Sequence, residues 1–114
     1  MKPPILIFEG RDVSIHSSLE HARSFPEVVD VKADIYEGYD SEGLLLDIKI
    51  KSNHGREEIA IEEHQPADYR PTELHKRLVD YLQIDKLVVL ESDDVTTLEL
   101  IRRVAKLMPW KLSI

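Results

Sequence analysis

The stretch from Leu44 to Lys51 constrains the fold more than any other part of the chain. Leu44, Leu46, Ile48 and Ile50 alternate with Leu45, Asp47, Lys49 and Lys51, the period of two that turns one set of side chains to a core and the other to water on a strand. Turn signals stand on both sides, Tyr39-Asp40-Ser41-Glu42-Gly43 before and Ser52-Asn53-His54-Gly55 after. The segment from about Val31 to His64 therefore predicts three antiparallel strands. In the third, Ile59 and Ile61 face inward while Glu58, Ala60 and Glu62 face out.

The flanking residues read as further strands and helices. Lys2 to Glu9 predicts a short strand in which Ile5 to Phe8 is a continuous apolar run. Ser17 and Glu20 have capping-box spacing, so a helix of about two turns should start at Ser17 and stop before Pro26, burying Leu19 and Ala22. Pro71 suits a first helical position, and Leu74, Leu78, Tyr81 and Leu82 continue as one apolar stripe to about Gln83. Leu87-Val88-Val89-Leu90 predicts a strand covered on both faces. Ser92, Asp93 and Asp94 then cap a last helix that turns Val95, Leu98, Ile101, Ala105 and Met108 inward and carries Arg102, Arg103 and Lys106 in its final turns. Pro109 ends it, and Trp110 to Ile114 folds back as packing or a short strand. Residues 1–114 thus predict a single α+β domain, a mainly antiparallel sheet with a three-stranded meander and about three helices packed chiefly on one face.

A chain of 114 residues without Cys has neither a disulfide framework nor a thiolate nucleophile nor Cys-ligated zinc. No apolar run reaches the roughly 20 residues of a membrane span, and Ile5 to Phe8 soon meets Glu9, Arg11 and Asp12, too short a stretch for a signal peptide. The expectation is a cytoplasmic protein without a membrane partner. With a pI near 5.2, nucleic acid is not an expected partner either.

The charge is unevenly spread. Between Asp30 and Asp68 stand eleven acidic residues against four basic ones (Lys32, Lys49, Lys51 and Arg56), which accounts for the whole net charge of -7. Such a field attracts a basic protein partner, and it equally serves solubility and discourages edge pairing. Alternation sets Tyr36 and Tyr39 on opposite faces; Ile35 shares the parity of Tyr39 and argues that this face is the inner one. Tyr36 is then the exposed anchor, on an outer face with Asp34, Asp47, Glu58 and Glu62, and these five are the expected partner-binding residues.

Catalytic motifs are missing: the sequence has no Gly-x-Gly-x-x-Gly, no phosphate-binding loop, no Gly-x-Ser-x-Gly and no His-Glu-x-x-His. Glu62, His64 and His75 are the candidates for metal ligation or acid–base work, with surface histidines as the plainer reading, and no catalytic residue, metal or cofactor is assigned. Asp93 and Asp94 follow an apolar strand as ligand-binding acids do in α/β sheets, and helix capping accounts for them as well.

Asp12-Val13-Ser14-Ile15, the short helix after it, Asp30-Val31 and then Tyr36-x-x-Tyr39-Asp40-Ser41-Glu42-Gly43 resemble a group of small, mostly uncharacterised bacterial proteins, some of them similar to immunity partners of secreted toxins. The likeness covers about residues 5 to 46 and rests on turn and cap signals; Pro26 interrupts a stretch that is helical in that group. It implies a small cytoplasmic acidic protein that works by binding another protein, and no catalytic residues. The leading expectation is an immunity-type inhibitor that covers a basic site on a toxin. The alternatives are a homodimer formed through Leu100, Val104 and Leu107 or through a sheet edge, and a small ligand- or metal-binding enzyme.

Overall fold

In the computed structural model residues 1–84, 96–107 and 112–113 are described. The elements run β1 (Ile5–Glu9), β2 (Asp12–His16), α1 (Leu19–Ser24), α2 (Val28–Lys32), β3 (Tyr36–Tyr39), β4 (Leu45–Asn53), β5 (Arg56–Glu63), α3 (Pro71–Ile84), α4 (Thr97–Leu107) and β6 (Leu112–Ser113). The sheet order is β5-β4-β3-β1-β2-β6, antiparallel except where β6 joins β2 in parallel. This is the α+β class that the sequence predicts, with the meander as β3, β4 and β5. The expected strand at Leu87–Leu90, the ends of the last helix at Val95 and Met108, and Ser92, Asp93 and Asp94 lie outside the described residues.

The four helices divide between the two faces of the sheet instead of collecting on one. Leu6, Phe8, Val13, Ile15 and Tyr39 pack under α3 and α4 through Leu74, Leu78, Leu82, Leu100, Ile101 and Val104. Ile5, Ile7, Leu46 and Ile61 point the other way and meet Ala22 and Leu19 of α1. The run Ile5 to Phe8 is apolar throughout because β1 is central and covered on both sides.

Two elements carry no strong sequence signal. β2 pairs with β1 across a tight turn at Gly10 (φ +59°), and α2 is a five-residue helix with no fully buried side chain. One cap falls one register away from expectation. Ser18, not Ser17, caps α1 by accepting from the His21 N–H at 3.2 Å. Thr96 accepts from the Glu99 N–H at 3.2 Å and caps α4. Of the residues expected inward on α4, Ile101 is buried and Ala105 packs against the core, whereas Leu98 is 47% exposed; Leu100 and Val104 complete the buried side.

The β3–β4 loop is organised by one carboxylate. Asp40 is buried and accepts from the backbone N–H groups of Glu42 (2.8 Å), Leu44 (2.9 Å) and Lys2 (2.9 Å). Gly43 (φ +85°) lets the loop pass Pro71, since a Cβ there would come within 2.7 Å of the Pro71 backbone. Asp40→Ala strands three donors and should lower stability by about 3 kcal/mol, whereas Asp40→Asn keeps an acceptor and should cost about 1 kcal/mol, both read by urea unfolding.

On the α1 side of β2, His16 is buried against Phe25, ring centroids 5.1 Å apart, with Nε2 2.9 Å from Ser14 Oγ. Burial, aided by nearby His21, pushes its pKa down to about 4. The unfolded chain takes up a proton near pH 6.5 and the folded chain does not until about pH 4, so stability falls as pH drops through that window. Unfolding at pH 7 and pH 5 should differ by about 2 kcal/mol from this residue, a difference that His16→Gln should remove.

Candidate functional site

β3 and β4 pair at Gly38↔Leu46 and Tyr39↔Leu45, after which β4 continues to Asn53 along β5. The strands approach closely at Gly38, where a Cβ would lie 3.2 Å from Leu46 Cβ and 3.3 Å from Ile48 Cδ1, and they part beyond this pair. Where they part, a cavity of about 440 Å³ opens, lined among others by Asp34, Tyr36, Glu37, Asp47, His64 and Arg70.

Three of the five expected binding residues, Asp34, Tyr36 and Asp47, line this one cavity. Glu58 and Glu62 lie along β5, on the same sheet face as Asp47: Asp47 is directly opposite Glu62 and Lys51 opposite Glu58. Tyr36 does not share that face. It has the parity of Gly38 and Leu46, and its half-buried ring packs against the core on the α1 side and lies 6.2 Å from the Phe25 ring. Its hydroxyl donates to Asp30 at 3.2 Å, and burial raises its pKa. The expectation of one inner and one outer face fails here because Tyr39 and Asp47 are on the same side of the sheet. That side lies under α3 and α4 at β1 to β3 and faces outward at β4 and β5.

Most of the acidic field is locally compensated. Glu62 binds Lys49 at 2.7 Å and also Lys51, and these hydrogen bonds hold its pKa at about 2. Glu57 binds Lys32 at 2.8 Å, Glu63 the N-terminal amine at 2.7 Å, Glu42 binds Lys2 at 3.5 Å, and Asp68 binds Arg70 at 2.9 Å. At the cavity Asp47 meets His64 Nδ1 at 2.9 Å and Glu37 meets Arg77 at 2.9 Å.

Asp34 differs. Its exposed side chain makes no hydrogen bond or ion pair among the described residues. Its position is set by the end of α2, where Asp34 N–H donates to Val31 O (3.0 Å) and Ile35 N–H to Asp30 O (3.4 Å). This is a Schellman closure, and it holds Asp34 at φ +58°, a conformation that glycine takes more readily. Sequence reasoning did not select Glu37 or Arg70; the alternation Glu37-x-Tyr39 carries the first, while Arg70 arrives through the Leu44↔Tyr69 bridge, which no local pattern announces.

Glu62, His64 and His75 do not converge. Lysines hold Glu62, Asp47 holds His64, and His75 Nδ1 is 3.3 Å from Thr97 Oγ1 at the α3–α4 contact; no group of three ligating side chains forms among the described residues. Leu100 and Val104 are buried inside the fold and so are not surface for a dimer. No helix among the described residues is long and apolar enough to cross a membrane. No known protein family matches this chain, and neither the curated proteins nor the solved structures contain a match to it.

Arg77 does not line the cavity but holds one of its lining residues, Glu37. Its guanidinium lies 4.3 Å from the Phe8 ring centroid and donates to Glu37, to Tyr39 Oη (3.2 Å) and to Gly10 O (3.2 Å). Tyr39 Oη in turn donates to Glu73 at 2.5 Å. A lysine supplies neither the planar fork nor the stacking surface, so Arg77→Lys should cost about 1 to 2 kcal/mol in urea unfolding despite conserving charge.

Proposed function

We propose that this chain is a non-catalytic binding domain that acts as an immunity-type inhibitor, covering a basic site on a partner protein. The observation that carries the reading is the unpartnered Asp34 carboxylate at a cavity shared with Asp47 and Tyr36. The two cations lining the same cavity are already neutralised, Lys49 by Glu62 and Arg70 by Asp68, so an incoming Lys or Arg side chain meets uncompensated carboxylate. Occlusion is the mechanism: the cation enters between Asp34 and Asp47, and the Tyr36 ring offers apolar contact to its methylene stem. The acids along β4 and β5 add attraction at longer range and so a salt-dependent on-rate.

The test is the native mass of the protein drawn from its own cells, at low and then high salt. A second, basic chain that leaves at high salt is the expected result; a salt-resistant pair of identical chains overturns the reading. Asp34→Gly suits the left-handed backbone and should leave stability unchanged or raise it by about 0.5 kcal/mol. The same substitution should weaken partner binding about tenfold, the worth of one charge-assisted hydrogen bond. Full affinity in both Asp34→Gly and Asp47→Asn would retire the cavity as the contact.

A further inference from the structure

The two edges of the sheet are unlike. One is β6, two residues long; the other is β5, eight residues long. The β4–β5 register is unbroken from Leu46↔Glu63 to Asn53↔Arg56, and the His64 N–H donates to Leu45 O at 3.0 Å in that same register. Even-numbered residues of β5 therefore turn their backbone groups to β4, and Glu57, Ile59, Ile61 and Glu63 turn theirs away from it. No backbone group of these four has a hydrogen-bond partner among the described residues other than within the sheet ladder. The α1 side of the strand is apolar up to this rim, with Ile61 buried and Ile59 half-buried.

We infer that the β5 edge accepts an extended, basic segment of a partner protein as a further antiparallel strand. Main-chain hydrogen bonds to the four outward residues supply the attachment. Side chains set the choice of occupant: Glu57 and Glu58 at one end and Glu63 at the other flank Ile59-Ala60-Ile61, while Glu62 stays with Lys49 and Lys51, which fits a segment with Lys or Arg at both ends and β-branched residues at its centre. Their present cations do not prevent this, because the pairs of Glu57 with Lys32 and Glu63 with the N-terminal amine join partly exposed groups and exchange readily.

A second copy of this chain is a poor occupant. The antiparallel register that sets Ile59 against Ile61 of the copy also sets Glu57 against Glu63 and Glu58 against Glu62, like charges directly opposite. Sliding by one pair in either direction sets Glu57 against Ile61 or Glu63 against Ile59. The surface is distinct from the Asp34 cavity and stands or falls separately from it.

The probe is the capped peptide Lys-Lys-Val-Thr-Val-Lys-Lys, added to the full chain and followed by amide hydrogen exchange and ¹H–¹⁵N spectra. The expected result is slowed exchange, about tenfold or more, at Glu57, Ile59, Ile61 and Glu63, with little change at the β4-facing amides of Glu58, Ala60 and Glu62. Methylating the backbone nitrogen of both valines should weaken binding about tenfold, and replacing the lysines by glutamate should abolish it. Ile59→Pro, which removes an outward N–H and leaves the β4 ladder intact, should also lose the peptide. Because the N-methylated peptide leaves the protein unaltered, it decides the matter if that variant does not fold. Equal binding of the N-methylated peptide, or perturbation confined to Asp34 and Asp47, overturns the inference. So does a peptide-free dimer in which the same four amides are already protected.

Discussion

The approach of β3 to β4 at Gly38 determines how the rest of the molecule is covered. A side chain there would press on Leu46 and Ile48, so glycine favours the close crossing, and the ladder there is two pairs long. On the β1 side of this crossing both faces of the sheet are buried, one under α3 and α4 and one against α1. On the β4 side only one face carries the apolar set, Leu46, Ile48, Ile59 and Ile61, and the other carries Asp47, Lys49, Lys51, Glu58 and Glu62. The cavity is the gap left where strands with such different surroundings separate.

This arrangement explains which features were legible in the sequence. Alternation within β4 and β5 separates Leu46, Ile48, Ile59 and Ile61 from Asp47, Lys49, Lys51, Glu58 and Glu62 as observed, because one side of these strands carries the apolar packing; Leu45 is the exception and packs against the core under α3 and α4. The stripe of α3 from Leu74 to Leu82 is equally legible, since Pro71 starts the helix and the stripe meets a single neighbour surface. Tyr36 was misplaced for a non-local reason. Inside and outside are properties of a face at a given strand, and the sheet exchanges them between β3 and β4, which no periodicity within a strand reports. β2 and α2 were not legible because Asp12–His16 mixes polar with apolar residues on a doubly covered strand and α2 is too short to establish a period.

The charge count shows a similar gap between composition and geometry. An excess of acids between Asp30 and Asp68 says nothing about which carboxylates remain available, because availability depends on side chains that arrive from elsewhere in the chain. Arg77 on α3 takes Glu37, the N-terminal amine takes Glu63, and Lys32 on α2 takes Glu57. Those partners are between 25 and 62 residues distant in sequence. What remains after pairing is local: Asp34 was legible as a candidate, and its distinction from the other acids was not.

The cavity and the β5 edge belong to the same two-stranded ribbon. β4 and β5 are held to each other along their whole length but to the rest of the sheet by the two β3 pairs and by the apolar packing of Leu46, Ile48, Ile59 and Ile61. A strand added to β5 would be joined to β4 through their common ladder, and β4 supplies Asp47, Ile48 and Lys49 to the cavity wall. A partner that reaches both surfaces would therefore meet one continuous element of the fold, the ladder of β4 and β5, from its free edge to the cavity wall.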